Sequence, residues 1–493
     1  MNPLRLRNRI VNRWFQGSWN EIRIHGALSL TVVGVLYLSE PRTTLIVGGL
    51  LCVAVYAYLG FKEARKAPLW LSPLSFYFFW YCIGMGVSPL YLGLTTGPKD
   101  SVRFASDLTM VSLPDLATGY VLYLIGSLAL HVGIQLFRPQ PIQSEKPVLQ
   151  GKLLLFLVAI WIGGILFQLN PASFGFLGAT AKILSVAVVG SVSAFAVTQG
   201  KALGLSRISF VAILMLGTAG LFFANLASGS KAYIMFSFLP IFWFFLIRPR
   251  LRLWLPALAL GLGIFYFALV APVVQTSRQS PLEEGQNPRA HLIETFETWN
   301  REKPVQFDQS FLAEQLDQFV NRQFDAVPVG FLVGEVDQSG LVFGETMEYA
   351  AYAFVPRLLW PDKPSVTRGA WFSTRLGLFQ TEADATTSVG MTAVGELYWN
   401  FGLPGIVIGM LSIGLGQGVL WRMAGGDPRG KPIHMLLYVS LMLGMTDMPE
   451  AVSVVVSLAV TFLTFKAAFV VLEMINGHRN RVTSGLKTEL LHR

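Results

Sequence analysis

What most constrains this chain is a series of long, unbroken apolar stretches. They lie near residues 22–39, 43–60, 69–94, 116–137, 153–169, 181–199, 207–227, 231–247, 251–274, 390–421, 432–447 and 450–474. A hydrocarbon core about 30 Å thick takes roughly 20 apolar residues as a helix. Only helices and closed barrels satisfy their backbone there. Barrel strands would be about ten residues long and alternating, whereas these runs are continuous. The expected fold is therefore all-α, a polytopic transmembrane bundle of about 12 helices with one large extracytoplasmic loop. Composition agrees: 53% of the 493 residues are hydrophobic and 14% charged, against about 25% charged in soluble chains.

Charge placement predicts orientation, because each turn between spans must alternate sides. With the N-terminus in the cytoplasm, the inner segments gather 23 Lys and Arg residues and the short outer turns only 5. Arg5, Arg7, Arg9, Arg13 and Arg23 open the series, followed by Lys62, Arg65 and Lys66, then Arg138, Lys146 and Lys152. The bias never reverses, as the positive-inside rule requires. The net charge of +9 is spread in small juxtamembrane groups, which argues against a nucleic-acid partner. The basic N-terminus lacks a cleavage-site pattern and reads as retained. The predicted organisation is a cytoplasmic tail at 1–21, nine helices over 22–274, an outer loop at 275–389, three helices over 390–474 and a cytoplasmic tail at 475–493. Cys52 and Cys82 fall inside apolar runs, as small buried hydrophobes with no disulfide framework.

The outer loop carries most of the polar chemistry. Phe311, Leu312, Leu316, Phe319, Val320 and Phe324 stand at helical spacing, with Asp308 or Ser310 as an N-cap. This amphipathic helix either lies in the membrane interface or covers the loop's own core. Further on, Arg357, Lys363, Arg368 and Arg375 alternate with Trp360, Trp371 and Phe372, and Pro361 and Pro364 stiffen the segment that presents Lys363. Rigid cations beside interfacial tryptophans suit a lipid-linked phosphate; a basic rim with no ligand is the plainer alternative. Lys231 in ASGSKAY opens a helix, where exposed N–H groups favour an anion. Glu396 in VGELYWNFGLPG enters the tenth run early, at a depth where a carboxylate is unfavourable unless used or paired. It is a candidate base, or else a structural partner of a loop arginine. Glu382 with Asp384, lone His291 and Lys466 beside Glu473 read as solvated or snorkelling groups. No metal site and no cofactor are expected from this pattern.

The segments ASGSKAY, FVPRLLWPDKP and GELYWNFGLPG resemble those of the Wzy-type O-antigen polymerases, the oligosaccharide repeat unit polymerases related to the O-antigen ligases. The likeness covers about residues 220–420 closely and the rest by topology. Where the family's first motif usually carries arginine, this chain has Lys231. The resemblance implies a metal-independent lipid-donor glycosyltransferase in the bacterial inner membrane. It would polymerise undecaprenyl-pyrophosphate-linked oligosaccharides on the periplasmic face into an O-antigen, capsule or exopolysaccharide. It implies Arg357 and Lys363 on the pyrophosphate, with Arg322, Arg278, Lys231, Arg368 and Arg375 in support and Glu396 as base. Partners would be membrane lipids and the lipid-linked substrates, and the resemblance also admits a chain-length regulator and a flippase of the same pathway. A ligase moving the glycan to a final acceptor, or a flippase or other transporter, are the alternatives. Transport is disfavoured because the spans read as almost free of ionisable residues and show no repeat.

Overall fold

The computed structural model describes residues 3–67, 71–95, 101–104, 106–138, 158–165, 181–197, 205–227, 231–270, 323–353, 368–377, 389–425, 432–445 and 451–466, with isolated residues between. Its helices are α1 (Pro3–Leu38), α2 (Pro41–Lys66), α3 (Pro73–Thr95), α4 (Leu113–Phe137), α5 (Ala181–Val197), α6 (Arg207–Ala227), α7 (Lys231–Phe236), α8 (Leu239–Leu246), α9 (Leu255–Phe265), α10 (Ala326–Ser339), α11 (Arg368–Arg375), α12 (Ala393–Ala424), α13 (Pro432–Gly444) and α14 (Ala451–Lys466). A short antiparallel hairpin, β1 (Ser101–Phe104) with β2 (Ser106–Ser112), joins α3 to α4. The all-α expectation holds.

Six helices are long and apolar enough to cross a membrane: Trp19–Leu38, Pro41–Lys66, Pro73–Thr95, Leu113–Phe137, Arg207–Leu226 and Ala393–Ala424. The twelve expected spans are not all present as such among the described residues. Ala187–Val197, Ile234–Leu246, Arg252–Phe265, His434–Gly444 and Ala451–Lys466 are shorter apolar helices, and the run at 153–169 is described only over its helical part, 158–165. One cause of shortening is visible at residues 231–247. A turn at Ser237–Phe238 separates α7 from α8, whose second residue, Pro240, has no N–H to continue the ladder.

Two ends carry local signals that the sequence dictates. Ser72 and Ser75 form a reciprocal capping box at the start of α3, with Ser75 N donating to Ser72 Oγ at 3.0 Å and Ser72 N to Ser75 Oγ at 2.7 Å. Residues Cys82–Val87 of α3 form a π-helical turn, and a Cβ on Gly84 would meet Gln323 O at 2.7 Å. The loop thus touches α3 backbone to backbone.

Helix α4 is the hub, packing along α12 on one side and α10 on the other. Small residues permit both contacts. A Cβ on Gly133 would lie 2.4 Å from Leu411 O, and one on Gly414 only 2.3 Å from Leu130 O. Likewise a Cβ on Gly119 would lie 2.4 Å from Gly330 N in α10. Membrane helices associate through such close approaches, because lipid removes the hydrophobic drive between them. Helix α10 buries Ala326, Val327, Val329, Leu332 and Val333. Part of the expected outer loop therefore lies within the bundle against α4, a placement that the sequence reading did not single out. Val320 and Phe324 are buried, as the amphipathic pattern expects, whereas Leu316, expected on the same apolar face, is 43% exposed; Phe311 and Leu312 lie outside the described residues. Both cysteines are free, Cys52 being buried with its Sγ 3.0 Å from Tyr120 Oη.

Candidate functional site

The site is built where the returning loop lands on the start of α12. The sequence GLPG breaks this helix: Gly402 adopts φ 64, ψ −154, and Pro404 follows inside it. The break takes the Trp399 carbonyl out of the regular ladder, and Val342 N donates to it at 3.1 Å. Next to it Asn400, fully buried, binds three partners. Its Oδ1 accepts from Gly344 N at 2.7 Å, and its Nδ2 donates to Thr346 Oγ1 at 2.6 Å and Glu396 O at 2.7 Å. Gly344, at φ 99, supplies the left-handed turn that brings its N–H there.

Glu396 has no exposed surface. Thr346 Oγ1 donates to its Oε1 at 3.3 Å, Val452 N donates to its Oε2 at 3.3 Å, and the Ala451 N–H also bonds the carboxylate. Ala451 and Val452 begin α14, so Glu396 caps that helix from outside. Its charge faces the N–H groups and the positive end of the helix dipole. The expectation that Glu396 pairs with a loop arginine finds no counterpart among the described residues; its partners are a hydroxyl and two backbone amides. Tyr349 Oη, 3.2 Å from Ser453 Oγ, adds a second tie from the loop to α14.

The N-cap of α12 is strained. Thr392 sits at φ 64, ψ 154, a region nearly restricted to glycine, which costs on the order of 1–3 kcal/mol. It is held by its Oγ1 accepting from Gly395 N at 3.1 Å and by the neighbouring Ala393 N donating to Met448 O at 3.0 Å. Strain of this kind concentrates at working sites. Beside it, α11 lays Trp371 and Phe372 against Trp399, with ring centroids 5.9 and 6.4 Å apart. Arg375 stands 5.5 Å above the Trp399 ring and 3.5 Å from Glu335 of α10. Trp399 Nε1 is buried with no hydrogen-bond partner among the described residues.

No family model, curated protein or solved structure matches this chain. The site is therefore read from its own residues. Of the sequence candidates, the structure brings Glu396 and Arg375 to the start of α12. The backbone of Arg368 opens α11, and that of Lys231 opens the six-residue α7. Arg357, Lys363, Arg322 and Arg278 lie outside the described residues, as do Glu382, Asp384, His291 and Glu473. Asn400, Thr346 and Trp399 were not singled out from sequence, although the GLPG break two residues beyond Asn400 marks where helix carbonyls become free.

Asn400→Ala leaves the half-buried Gly344 N–H without its acceptor and the buried Thr346 oxygen without the donor that it holds. Each such orphan costs about 1–3 kcal/mol. The expected result is a lower melting temperature in detergent and faster proteolysis within residues 341–353, read by mass spectrometry of the fragments.

A second polar assembly corrects the sequence reading. The spans are not free of ionisable groups: Glu21, His25, Glu63 and His131 are each fully buried. The apolar runs at 22–39 and 43–60 stop short of Glu21 and Glu63, but α1 and α2 continue through them. These helices can continue because the charges meet. Glu63 Oε2 lies 2.5 Å from Arg138 Nη2 and its Oε1 2.8 Å from Lys66 Nζ, while Glu21 pairs with Lys66 and, at 3.4 Å, with Lys62. Burial alone would loosen the Arg138 proton, but the Glu63 and Glu21 carboxylates push the guanidinium above its ordinary value. The basic groups at 62–66 and 138, which the charge count assigns to one side, thus gather at one end of the bundle.

Proposed function

We propose that this protein is a lipid-donor glycosyltransferase that polymerises undecaprenyl-pyrophosphate-linked oligosaccharides at the outer face of a bacterial inner membrane. The observation that carries this reading is the meeting of the late loop with the start of α12. Residues 342–349 and α11, which flank FVPRLLWPDKP in the chain, converge on Glu396, Trp399 and Asn400 of GELYWNFGLPG. A pyrophosphate leaving group needs cations as its charge develops. In this reading Arg357 and Lys363 supply them, with Arg375 and Arg368 of α11 in support. Both substrates are lipid-anchored, and a site beside apolar helices is where they would meet.

Burial refines the role of Glu396. Its carboxylate is engaged by α14 and Thr346, so it positions the loop for the reaction. To serve as the base that takes the acceptor proton, it would first have to exchange Thr346 for the acceptor hydroxyl.

The test is direct. Purified protein given an undecaprenyl-pyrophosphate oligosaccharide should lengthen it without added metal. Arg357→Ala and Lys363→Ala should each abolish elongation at normal membrane levels, and wild-type chain lengths from both would overturn the loop site. Glu396→Gln should lower elongation and thermal stability together; lost elongation at wild-type stability would return it to the role of base. Deletion of the gene separates polymerase from ligase, since loss of a polymerase leaves single repeats on the final acceptor. Transport is the second reading, favoured by one observation, the ionisable groups buried inside α1, α2 and α4.

A further inference from the structure

Residues four apart stack on one face of a helix, and α4 places Tyr123, Ser127, His131 and Gln135 in this way. At 1.5 Å per residue the four span about 18 Å along the axis. Groups from α1, α2 and α3 fill the gaps between them. At one end is half-buried Asp325, just before α10, which accepts from Tyr123 Oη at 3.0 Å. Tyr81 Oη donates to Tyr123 Oη at 3.4 Å, the Tyr77 ring lies 4.2 Å from that of Tyr81, and the Tyr77 hydroxyl donates to the Ser127 carbonyl at 3.0 Å, within electrostatic reach of the Ser127 and Tyr81 side chains. Ser127 Oγ is 3.1 Å from Tyr56 Oη and 3.1 Å from His25 Nε2, which is itself 2.9 Å from Tyr56 Oη. His25 Nδ1 then meets His131 Nδ1 at 3.2 Å. His131 Nε2 meets the Gln135 amide at 3.1 Å, and that amide reaches Glu21 Oε2 at 3.4 Å. Glu21 touches Lys66, whose side chain is 39% exposed.

We propose that this row of side chains is a proton path through the first four long helices, running between Asp325 and the Glu21–Glu63 cluster. Every hydroxyl and imidazole along it can accept on one side and donate on the other once the Tyr77 and Ser127 hydroxyls turn away from the Ser127 and Leu124 carbonyls, to which they donate at 3.0 and 2.8 Å. Two nitrogens facing each other, as Nδ1 of His25 and His131 do, hold one hydrogen between them. One ring must therefore be the donor and the other the acceptor. A proton arriving on the far nitrogen of one ring releases the shared hydrogen to the other, and the bond reverses direction. At Gln135, Oε1 is buried without a hydrogen-bond partner among the described residues. The amide can turn to offer Oε1 or its N–H to His131 Nε2, whichever the tautomer requires. Taking one at oxygen and giving one from nitrogen to Glu21 leaves the Gln135 side chain as its imidic acid; after it turns over, the next proton enters at the bare nitrogen and the O–H proton leaves to Glu21, which restores the amide. At each transfer one proton enters and one leaves; the hydroxyls and imidazoles return to their starting form when the row reorients, and Gln135 returns to the amide on every second proton.

The surroundings suit this role. Glu63, Lys66 and Arg138 act on His131 electrostatically, so the ring pair adjoins the charged cluster at which the row ends. The interior groups between the two ends are at most 6% exposed, while both ends reach partly exposed side chains. A network present only for packing has no need to continue from one wet end to the other. Ionisable chains inside membrane helices otherwise mark ion and proton routes. The path shares no residue with the assembly around Glu396, so the two readings stand or fall separately.

The experiment is proton flux into liposomes of phosphatidylcholine and phosphatidylglycerol that hold the full-length protein and an internal pH dye. A potassium gradient with valinomycin supplies the driving voltage. Wild-type protein should acidify the lumen at least tenfold faster than protein-free liposomes, with a protonophore setting the endpoint. Tyr123→Phe removes one oxygen between Tyr81 and Asp325 and keeps the ring, and His131→Leu removes the ring pair; each should return the rate to background. Ser206→Ala, at an exposed position, should leave it unchanged. Wild-type flux equal to protein-free liposomes overturns the path, as does wild-type flux from a Tyr123→Phe protein with the same elution volume and melting temperature. Should His131→Leu fail to fold, the Tyr123→Phe comparison decides alone.

Discussion

Gly414→Leu is expected to lower stability by about 3 kcal/mol or more, the upper end of what overpacking usually costs. The reason is that the obstruction is backbone. A Cβ at this position already lies 2.3 Å from Leu130 O and 3.1 Å from Gly133 Cα, and neither can rotate away as a side-chain tip would. Helices α4 and α12 would have to separate, and with them the hub that also carries α10. Gly133→Leu, on the facing helix, should do the same, because its Cβ meets Leu411 O at 2.4 Å and Leu415 N at 2.8 Å. Gly34→Ala is the control. Nothing lies within 4 Å of its Cβ, and an alanine inside a helix gains up to about 1 kcal/mol over glycine. Thermal unfolding in detergent should rank the variants in that order. A Gly414→Leu protein that melts with the wild type would show that the two helices do not cross here.

The second large effect is expected at the ion pairs of α2. Glu63→Leu leaves Arg138 and Lys66 at the buried end of the bundle with Glu21 as their remaining carboxylate among the described residues. Removing one partner of a buried pair costs about 3–5 kcal/mol, because the other charge stays desolvated and uncompensated. Arg138→Met should cost less, since Lys66 remains 2.8 Å from Glu63. The double variant Glu63→Leu with Arg138→Met should recover much of the loss, because two apolar groups of similar volume replace the pair without leaving a lone charge. Equal destabilisation by both single variants, with no recovery in the double, would mean that the charges act independently. Salt should change these values little, as buried pairs are weakly screened.

These two sites divide what the sequence makes legible from what it does not. A long apolar run has one regular solution in a bilayer, a helix, so the spans beginning near Pro41, Pro73 and Leu113 follow from hydropathy alone. The shorter helices depart from the expected count where backbone chemistry intervenes, as Pro240 does between α7 and α8. Glu396 was visible for the same physical reason as the spans: a carboxylate early in an apolar run must have a use or a partner. Its partners were not visible, because Thr346 and Val452 lie 50 and 56 residues away in the chain. The histidine pair is further still from sequence view, His25 and His131 being 106 positions apart. Only the four-residue spacing of Tyr123, Ser127, His131 and Gln135 hinted at it, and a lone polar residue per turn is easily lost in an apolar average. The glycine contacts are silent in any single helix, since Gly133 and Gly414 acquire meaning only when they face each other.

The interruption at Gly402 has a mechanical consequence. Below it, α12 is keyed into α4 through Gly414; above it, the segment from Ala393 to Phe401 is tied to residues 342–349 and, through Glu396, to the head of α14. The upper segment is coupled to the loop as well as to α4, where a Cβ on Gly126 would meet Val394 at 2.8 Å, while the lower one is keyed to α4, with the break as a hinge between them. A pair of spin labels astride residue 402 would register loop movement as a change in separation, whereas a pair placed wholly below it would keep a constant distance.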